Sequence, residues 1–197
     1  MVELIVVAIV AIGVLFGARQ YWRHQSTAAA LSLYEAIQLE RGSDEQIADL
    51  NQVVKKWPRT ASGKRAMMIV GEIYQDRGEH DKAVELFRML ASRSRNNPMV
   101  KTAALHKLAE TQLAMGDASL AAETYLKAAA DPHNLLALDS RIRAAASLEG
   151  AGEFDKAAIL YSQIIDEAGD DDRYVKEQSE ERLLWLMANG RIEGPMP

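Results

Sequence analysis

Gly78-Glu79-His80-Asp81-Lys82-Ala83-Val84-Glu85-Leu86-Phe87 sets a pattern that the chain uses twice more. Residues Gly116–Tyr125 read Gly-Asp-Ala-Ser-Leu-Ala-Ala-Glu-Thr-Tyr, and Gly152–Tyr161 read Gly-Glu-Phe-Asp-Lys-Ala-Ala-Ile-Leu-Tyr. Each copy has Ala five residues after the Gly and an aromatic four residues further on. The glycines at 78, 116 and 152 stand 38 and 36 residues apart. That spacing is the period of a repeat built from two helices. Such a unit cannot bury its apolar face alone, so stacked copies share a core and present an extended binding surface.

The signature resembles the tetratricopeptide repeat (TPR). The resemblance implies that the Gly ends helix A, the Ala lets helix B approach closely, and the aromatic packs down between neighbouring helices. Working outward, Gly42 lies 36 residues before Gly78 and Ile47 lies 36 before Ala83. A degenerate repeat is therefore expected over 28–58, with Asn51 in the place of the aromatic. Its first helix, 28–41, offers Leu31, Tyr34, Ile37 and Leu39 as the apolar face. Ser43 and Asp44 cap the next helix, which buries Ile47, Leu50, Val53, Val54 and Trp57. Full repeats follow at 60–97, 98–131 and 134–169, divided by the breakers Asn97-Pro98 and Asp131-Pro132. Asp170–Asp172 is expected to cap a last helix, 172–189. There Leu183, Leu184 and Leu186 would cover the open end, and Lys176, Glu177, Glu180, Glu181 and Arg182 would face water. Residues 190–197 read as a loose tail. No strand pattern appears, so the class is all-α: an N-terminal transmembrane helix, a TPR-type solenoid of about four helix pairs, and a capping helix.

The N-terminus differs in kind. Leu4 to Ala18 carries no polar side chain. Fifteen helical residues rise about 22 Å, short of the roughly 30 Å hydrocarbon layer. Extension to Tyr21 and Trp22 completes a span, with Arg19 snorkelling and the aromatics at the interface. A cleaved signal would want a basic start and small residues before the cut, where this chain has Glu3, Leu15 and Phe16. The expected organisation is a retained single-pass anchor at 1–22 and a short linker at 23–27 before the repeats. Gly13 and Gly17 form a Gly-x-x-x-Gly step, which permits close helix approach and a homodimer through the anchor.

Composition narrows the chemistry. The net charge of −5 argues against nucleic acid as a partner. With no cysteine, a disulfide framework, a thiolate metal site and a cysteine nucleophile are excluded. His24, His80, His106 and His133 fall on different elements with no ligand at helical spacing, so no metal or other cofactor is expected. The acidic run at 170–172 lacks the alternation of a calcium loop. Neither a strained nucleophile turn nor a Gly-rich phosphate loop occurs. The chain reads as a binding protein and not an enzyme.

In TPR proteins helix A lines the concave face. Carrying those positions over by register selects Arg65, Met68, Glu72, Gln75, His106, Glu110, Leu113, Ile142 and Glu149. Met68 and Glu72 replace the Lys and Asn with which chaperone-binding TPRs clamp a terminal carboxylate. A groove of Met and Leu rimmed by carboxylates suits an extended or helical apolar segment with basic flanks.

The anchor, its exit at Gly17-Ala18-Arg19-Gln20-Tyr21-Trp22, His24-Gln25 and the short cysteine-free array together resemble the ancillary subunit family of the SecYEG translocon. That resemblance implies a bacterial inner-membrane protein with periplasmic TPRs, in contact with the translocon and with chaperones of exported proteins. Arg19 and Arg23 point the other way, because the positive-inside rule places them in the cytoplasm. That orientation fits membrane-anchored cytoplasmic TPR regulators of lipopolysaccharide assembly, although those end in a cysteine-bearing module. A structural subunit of a large membrane complex is the third alternative.

Overall fold

A computed structural model describes the backbone of residues 2–192 and the side chains from Ala11 onward, apart from that of Asp170. Among the described residues the fold is all-α. The helices are α1 (Val2–Gln38), α2 (Asp44–Lys56), α3 (Ala61–Asp76), α4 (His80–Arg93) and α5 (Pro98–Ala114). They continue as α6 (Ala118–Ala129), α7 (Ala137–Gly150), α8 (Phe154–Glu167) and α9 (Arg173–Ala188). The chain forms two compact units, Met1–Ile73 and Tyr74–Pro197.

In the first unit α1 runs unbroken through 23–27, where the sequence suggested a linker. The Trp57 indole Nε1 donates to Gln25 Oε1 at 2.7 Å, so packing against α1 begins inside that stretch. The buried stripe of α1 is Ala29, Leu33 and Ala36, whereas Leu31, Tyr34 and Ile37 are exposed. This reverses the expected face. Two alanines give α2 a close approach that bulkier residues would prevent. Helix α1 stops at Gln38, and a side chain from α2 finishes it. Gln46 Nε2 donates to Ala36 O at 3.2 Å and Leu39 O at 3.3 Å, while Gln46 Oε1 accepts from Gly42 N–H at 2.8 Å. Ser43 Oγ caps α2 by accepting from Gln46 N–H at 3.1 Å, as expected. Between α2 and α3, Thr60 Oγ1 donates to Trp57 O at 2.9 Å and accepts from Gly63 N–H at 3.0 Å.

Towards the start of α1, every side chain from Ala11 to Trp22 is exposed, including Ile12, Val14, Leu15 and Phe16. The earlier part of the expected anchor, 1–10, has its side chains outside the described residues. Among the described residues no helix is long and apolar enough to cross a membrane. A Cβ built at Gly13 or Gly17 would meet nothing within 4 Å, so the Gly-x-x-x-Gly step packs against nothing among the described residues.

The second unit repeats one turn. Gly78, Gly116, Gly152 and Gly190 have φ of 74°, 89°, 76° and 61°, the left-handed region that only glycine enters cheaply. After each, the next N–H reaches back to a carbonyl near the helix end: Glu79 to Tyr74, Asp117 to Gln112, Glu153 to Leu148 and Arg191 to Leu186. The glycine N–H groups bond to Gln75, Leu113, Glu149 and Met187. This pair of bonds satisfies carbonyls that a helix end would otherwise leave open. Ala83, Ala121 and Ala157 are fully buried, as are the aromatics Phe87, Tyr125 and Tyr161. Asn97 caps α5 by accepting from Val100 N–H at 3.2 Å, with Pro98 at the first helical position.

The C-terminal reading needs correction. Gly190 lies 38 residues after Gly152, so α9 is the helix A of a further unit and not only a cap. Its turn continues to Ile192, which is buried in the core cluster, so the expected loose tail begins as ordered chain. Residues 193–197 lie outside the described residues. Leu186 and Leu183 face the core, but Leu184 is exposed. Asp170–Asp172 forms a 3-10 turn, and Asp172 makes no side-chain cap on α9.

Candidate functional site

The nine groove positions come from three A helices, with Arg65, Met68 and Glu72 on α3 in the first unit. Arg65 is exposed, and Met68 and Glu72 are half-buried. In the second unit Gln75 closes α3, half-buried, with its carbonyl taken by the Gly78 N–H at 3.0 Å. His106, Glu110 and Leu113 lie along α5, and Ile142 and Glu149 along α7.

His106 is anchored to the protein. Its Nε2 lies 2.7 Å from Ser140 Oγ, and its ring meets Tyr125 edge-on at 5.2 Å between centroids. Ser140 Oγ also lies 2.9 Å from Leu136 O and accepts from Asn134 Nδ2 at 3.3 Å, so His106 joins a network that ties α5 to the start of α7. Burial first, then the Arg143 charge, pull the His106 pKa below its usual value. A neutral, tethered imidazole aligns α5 with α7.

The carboxylates Glu110 and Glu149 are also engaged. Glu110 Oε2 accepts from Lys107 Nζ at 3.0 Å on the same helix. Glu149, expected on the groove rim, has a side chain only 8 % exposed. It accepts from the Tyr161 hydroxyl at 2.6 Å and from Arg182 Nε at 3.1 Å, with Arg182 Nη2 on its second oxygen. This fork-to-fork pair meets the Glu149 charge inside the protein, so it cannot select basic flanks. Burial, reinforced by Glu149, pushes the Tyr161 hydroxyl well above the usual tyrosine range. Arg182, expected on the outer face of α9, instead turns inward.

Around this triad Ile142, Ala146, Phe154, Gln178 and Trp185 wall an open cleft of about 480 Å³. The Arg182 guanidinium lies 4.8 Å from the Trp185 ring centre, a cation–π contact in the wall of the cleft. Apolar walls over a satisfied polar floor suit one or two apolar side chains of a polypeptide with a nearby backbone amide. Arg182, Trp185, Phe154 and the Tyr161 hydroxyl were not expected at the site. For Arg182 and Trp185 the signal was the 38-residue step from Gly152 to Gly190, because it marks α9 as a helix A. Among the described residues no group of three His, Asp or Glu could hold a metal ion.

Glycine-ended helix pairs and a cleft between successive A helices define a TPR-like helical-repeat protein. Residues 2–178 match the tetratricopeptide repeat-like domain, and the chain belongs to that family. Among solved structures it is similar to the nearly identical TPR-like repeats of a Podosopora anserina chain assigned as a kinesin light chain. That match has a TM-score of 0.56 at 20% identity, covering 86% of this chain and 87% of the other. A variant of the same protein gives a TM-score of 0.55 at 19% identity, covering 86% of each chain. At these identities the likeness shows the fold alone. BtubC (BKLC) from P. vanneervenii aligns at 15% identity with a TM-score of 0.41, over 89% of this chain and 94% of that one. No curated protein matches the chain significantly.

Proposed function

We propose that this protein is a membrane-tethered adaptor whose A-helix groove captures an apolar polypeptide segment beside the protein-export translocon and its periplasmic chaperones. The cleft at Ile142, Phe154 and Trp185 carries the reading, because it joins an open apolar surface to a polar floor whose charges already cancel. Within the second unit, selection then rests on apolar contact at Leu113 and Ile142, not on the Glu149 charge. The tether reading draws on the unpartnered apolar surface of α1 from Ile12 to Phe16 and on the uninterrupted Leu4–Ala18 run. No catalytic role is assigned.

A photo-crosslinking residue at Ile142 of the full chain, followed by mass spectrometry in native membranes, tests the adaptor. Translocon components, chaperones or exported chains should dominate the adducts. Adducts confined to cytoplasmic enzymes would refute it. Arg19 and Arg23 support the second reading, a cytoplasm-facing assembly factor. Alkaline phosphatase fused after Pro197 separates the two, because it is active only when exported.

A further inference from the structure

The residue before the helix-ending glycine differs from one repeat to the next. It is Arg77, Met115, Ala151 and Asn189. The turn itself needs the glycine and accepts different neighbours. Only at 189 does asparagine precede glycine. Asn51, Asn96 and Asn134 are followed by Gln52, Asn97 and Leu135, and Asn97 by Pro98, which has no N–H.

Asparagine is chemically labile, and most so before glycine, which has no side chain to crowd the attack. The glycine nitrogen gives its proton to water or hydroxide and bonds to the asparagine Cγ, closing a succinimide ring. The Cγ–Nδ2 bond breaks, and ammonia leaves with a proton from water. Water then opens the ring at either carbonyl. One product is aspartate, and the other is isoaspartate, whose main chain runs through Cγ and is longer by an atom. The sum is water consumed and ammonia released, with no change of oxidation state.

The last turn of α9 holds this reaction back. Asn189 Nδ2 donates to Trp185 O at 2.8 Å, which turns the amide back along the helix. Gly190 N–H donates to Met187 O at 3.0 Å, so the attacking nitrogen is engaged. Both bonds lie at a helix end, the part of a helix that opens at least cost. Asn189 is exposed, and a Cβ built on Gly190 would meet nothing within 4 Å, so water reaches the reacting atoms once the turn opens.

Neither product suits the turn. Aspartate loses the donor to Trp185 O and adds negative charge at the C-terminal end of α9, whose last turn carries no basic residue. In isoaspartate the extra chain atom falls between Leu186 O and Arg191 N–H, which are 3.0 Å apart and close the turn. Just beyond, Ile192 is buried in the core, and the Arg191 guanidinium lies 5.0 Å from the Phe154 ring centre. Phe154 and Trp185 are walls of the cleft, so damage at 189 reaches it directly.

We propose that Asn189 is a self-modification site: opening of the last turn of α9 exposes its side-chain amide to the Gly190 nitrogen, and the product releases Arg191 and Ile192 from the cleft wall. The inference stands on this turn alone and is independent of what the groove binds.

The full chain, held in detergent at mildly alkaline pH, is sampled over days. Peptide mapping measures Asn, Asp and isoaspartate at 189, and Tm is read on each sample. The same chain unfolded in urea gives the unprotected rate. Asn189→Ala is the control, since Ala151 fills the equivalent place one repeat earlier. Breaking two ordinary hydrogen bonds lowers the open population roughly tenfold to a hundredfold, so the folded chain should convert more slowly than the unfolded one by that factor. Isoaspartate should accompany aspartate at 189, and Tm should fall as they accumulate, whereas aged Asn189→Ala keeps its Tm. No conversion in the folded chain, where the unfolded one converts, overturns the site. Faster conversion at Asn51, Asn96 or Asn134 refutes the assignment to 189. Equal rates in the folded and unfolded chain overturn the gating by the turn. Conversion with Tm unchanged, or an equal fall in Tm for Asn189→Ala, refutes the release of Arg191 and Ile192.

Discussion

Gly63→Ala tests whether the turn between α2 and α3 packs as described. A Cβ on Gly63 would lie 1.9 Å from Trp57 O and 2.8 Å from Trp57 C. Carbon and oxygen rarely approach closer than about 3.3 Å, so the Trp57 carbonyl would have to retreat by roughly 1.4 Å. That carbonyl is backbone, and it also accepts from Thr60 N–H at 3.1 Å and Thr60 Oγ1 at 2.9 Å. Overpacking costs about 1–3 kcal/mol, and each strained hydrogen bond adds up to about 1 kcal/mol. Against this, Ala gains at most about 1 kcal/mol of helix propensity over Gly. Strain wins by about 2 kcal/mol, which lowers Tm by roughly 4–8 °C in a chain of this size. Gly150→Ala is the matched control, because its new Cβ would meet only Ala118 Cβ, at 4.0 Å. There propensity acts alone and should raise Tm by a few degrees at most, about 2–4 °C. Thermal unfolding of the full chain in detergent, followed by circular dichroism, reads both. If Gly63→Ala melts at or above the parent while Gly150→Ala behaves as expected, the Trp57–Thr60 turn does not lie against α3.

Further outcomes follow from the core, the groove and the buried imidazole. Ala121 is fully buried, so Ala121→Leu should cost about 1–3 kcal/mol and lower Tm clearly, and an unchanged melt would refute the repeat register. Leu113 and Ile142 changed together to Ser should weaken polypeptide crosslinking while shifting Tm little, since neither is fully buried. A collapse in Tm would instead make them structural. The lowered His106 pKa means that the folded state resists protonation more than the unfolded chain does. Its contribution is present above the unfolded value of 6.5 and is lost as pH falls through the folded value. Tm should therefore drop as pH falls from 6.5 towards the lower folded value and level off beneath it, and His106→Gln should flatten the drop. An unaltered pH profile would show that other groups carry it.

Local chemistry made the repeat legible in the sequence. A left-handed turn needs glycine whatever surrounds it, so Gly42, Gly78, Gly116 and Gly152 mark where helix A ends. Close helix contact needs a small residue at a set distance from that turn, so Ala83, Ala121 and Ala157 mark the buried seam, with the aromatics following by spacing. Gly190 obeys the same rule, and its spacing was readable although the helix before it seemed only a cap.

Tertiary structure decided the facing of side chains, because rotating a helix by one position re-aims each by about 100° without changing its periodic pattern. Ala29, Leu33 and Ala36 are buried in place of Leu31, Tyr34 and Ile37 because the approach of α2, not hydrophobicity alone, selects the face. Gln46 completes α1 from across the turn, a role that needs both helices in place. Glu149 and Arg182 lie 33 residues apart on α7 and α9, and only their packing turns a rim carboxylate and a surface arginine into one closed pair. Period and turn chemistry are properties of a few consecutive residues, whereas such pairings exist only once distant helices have met.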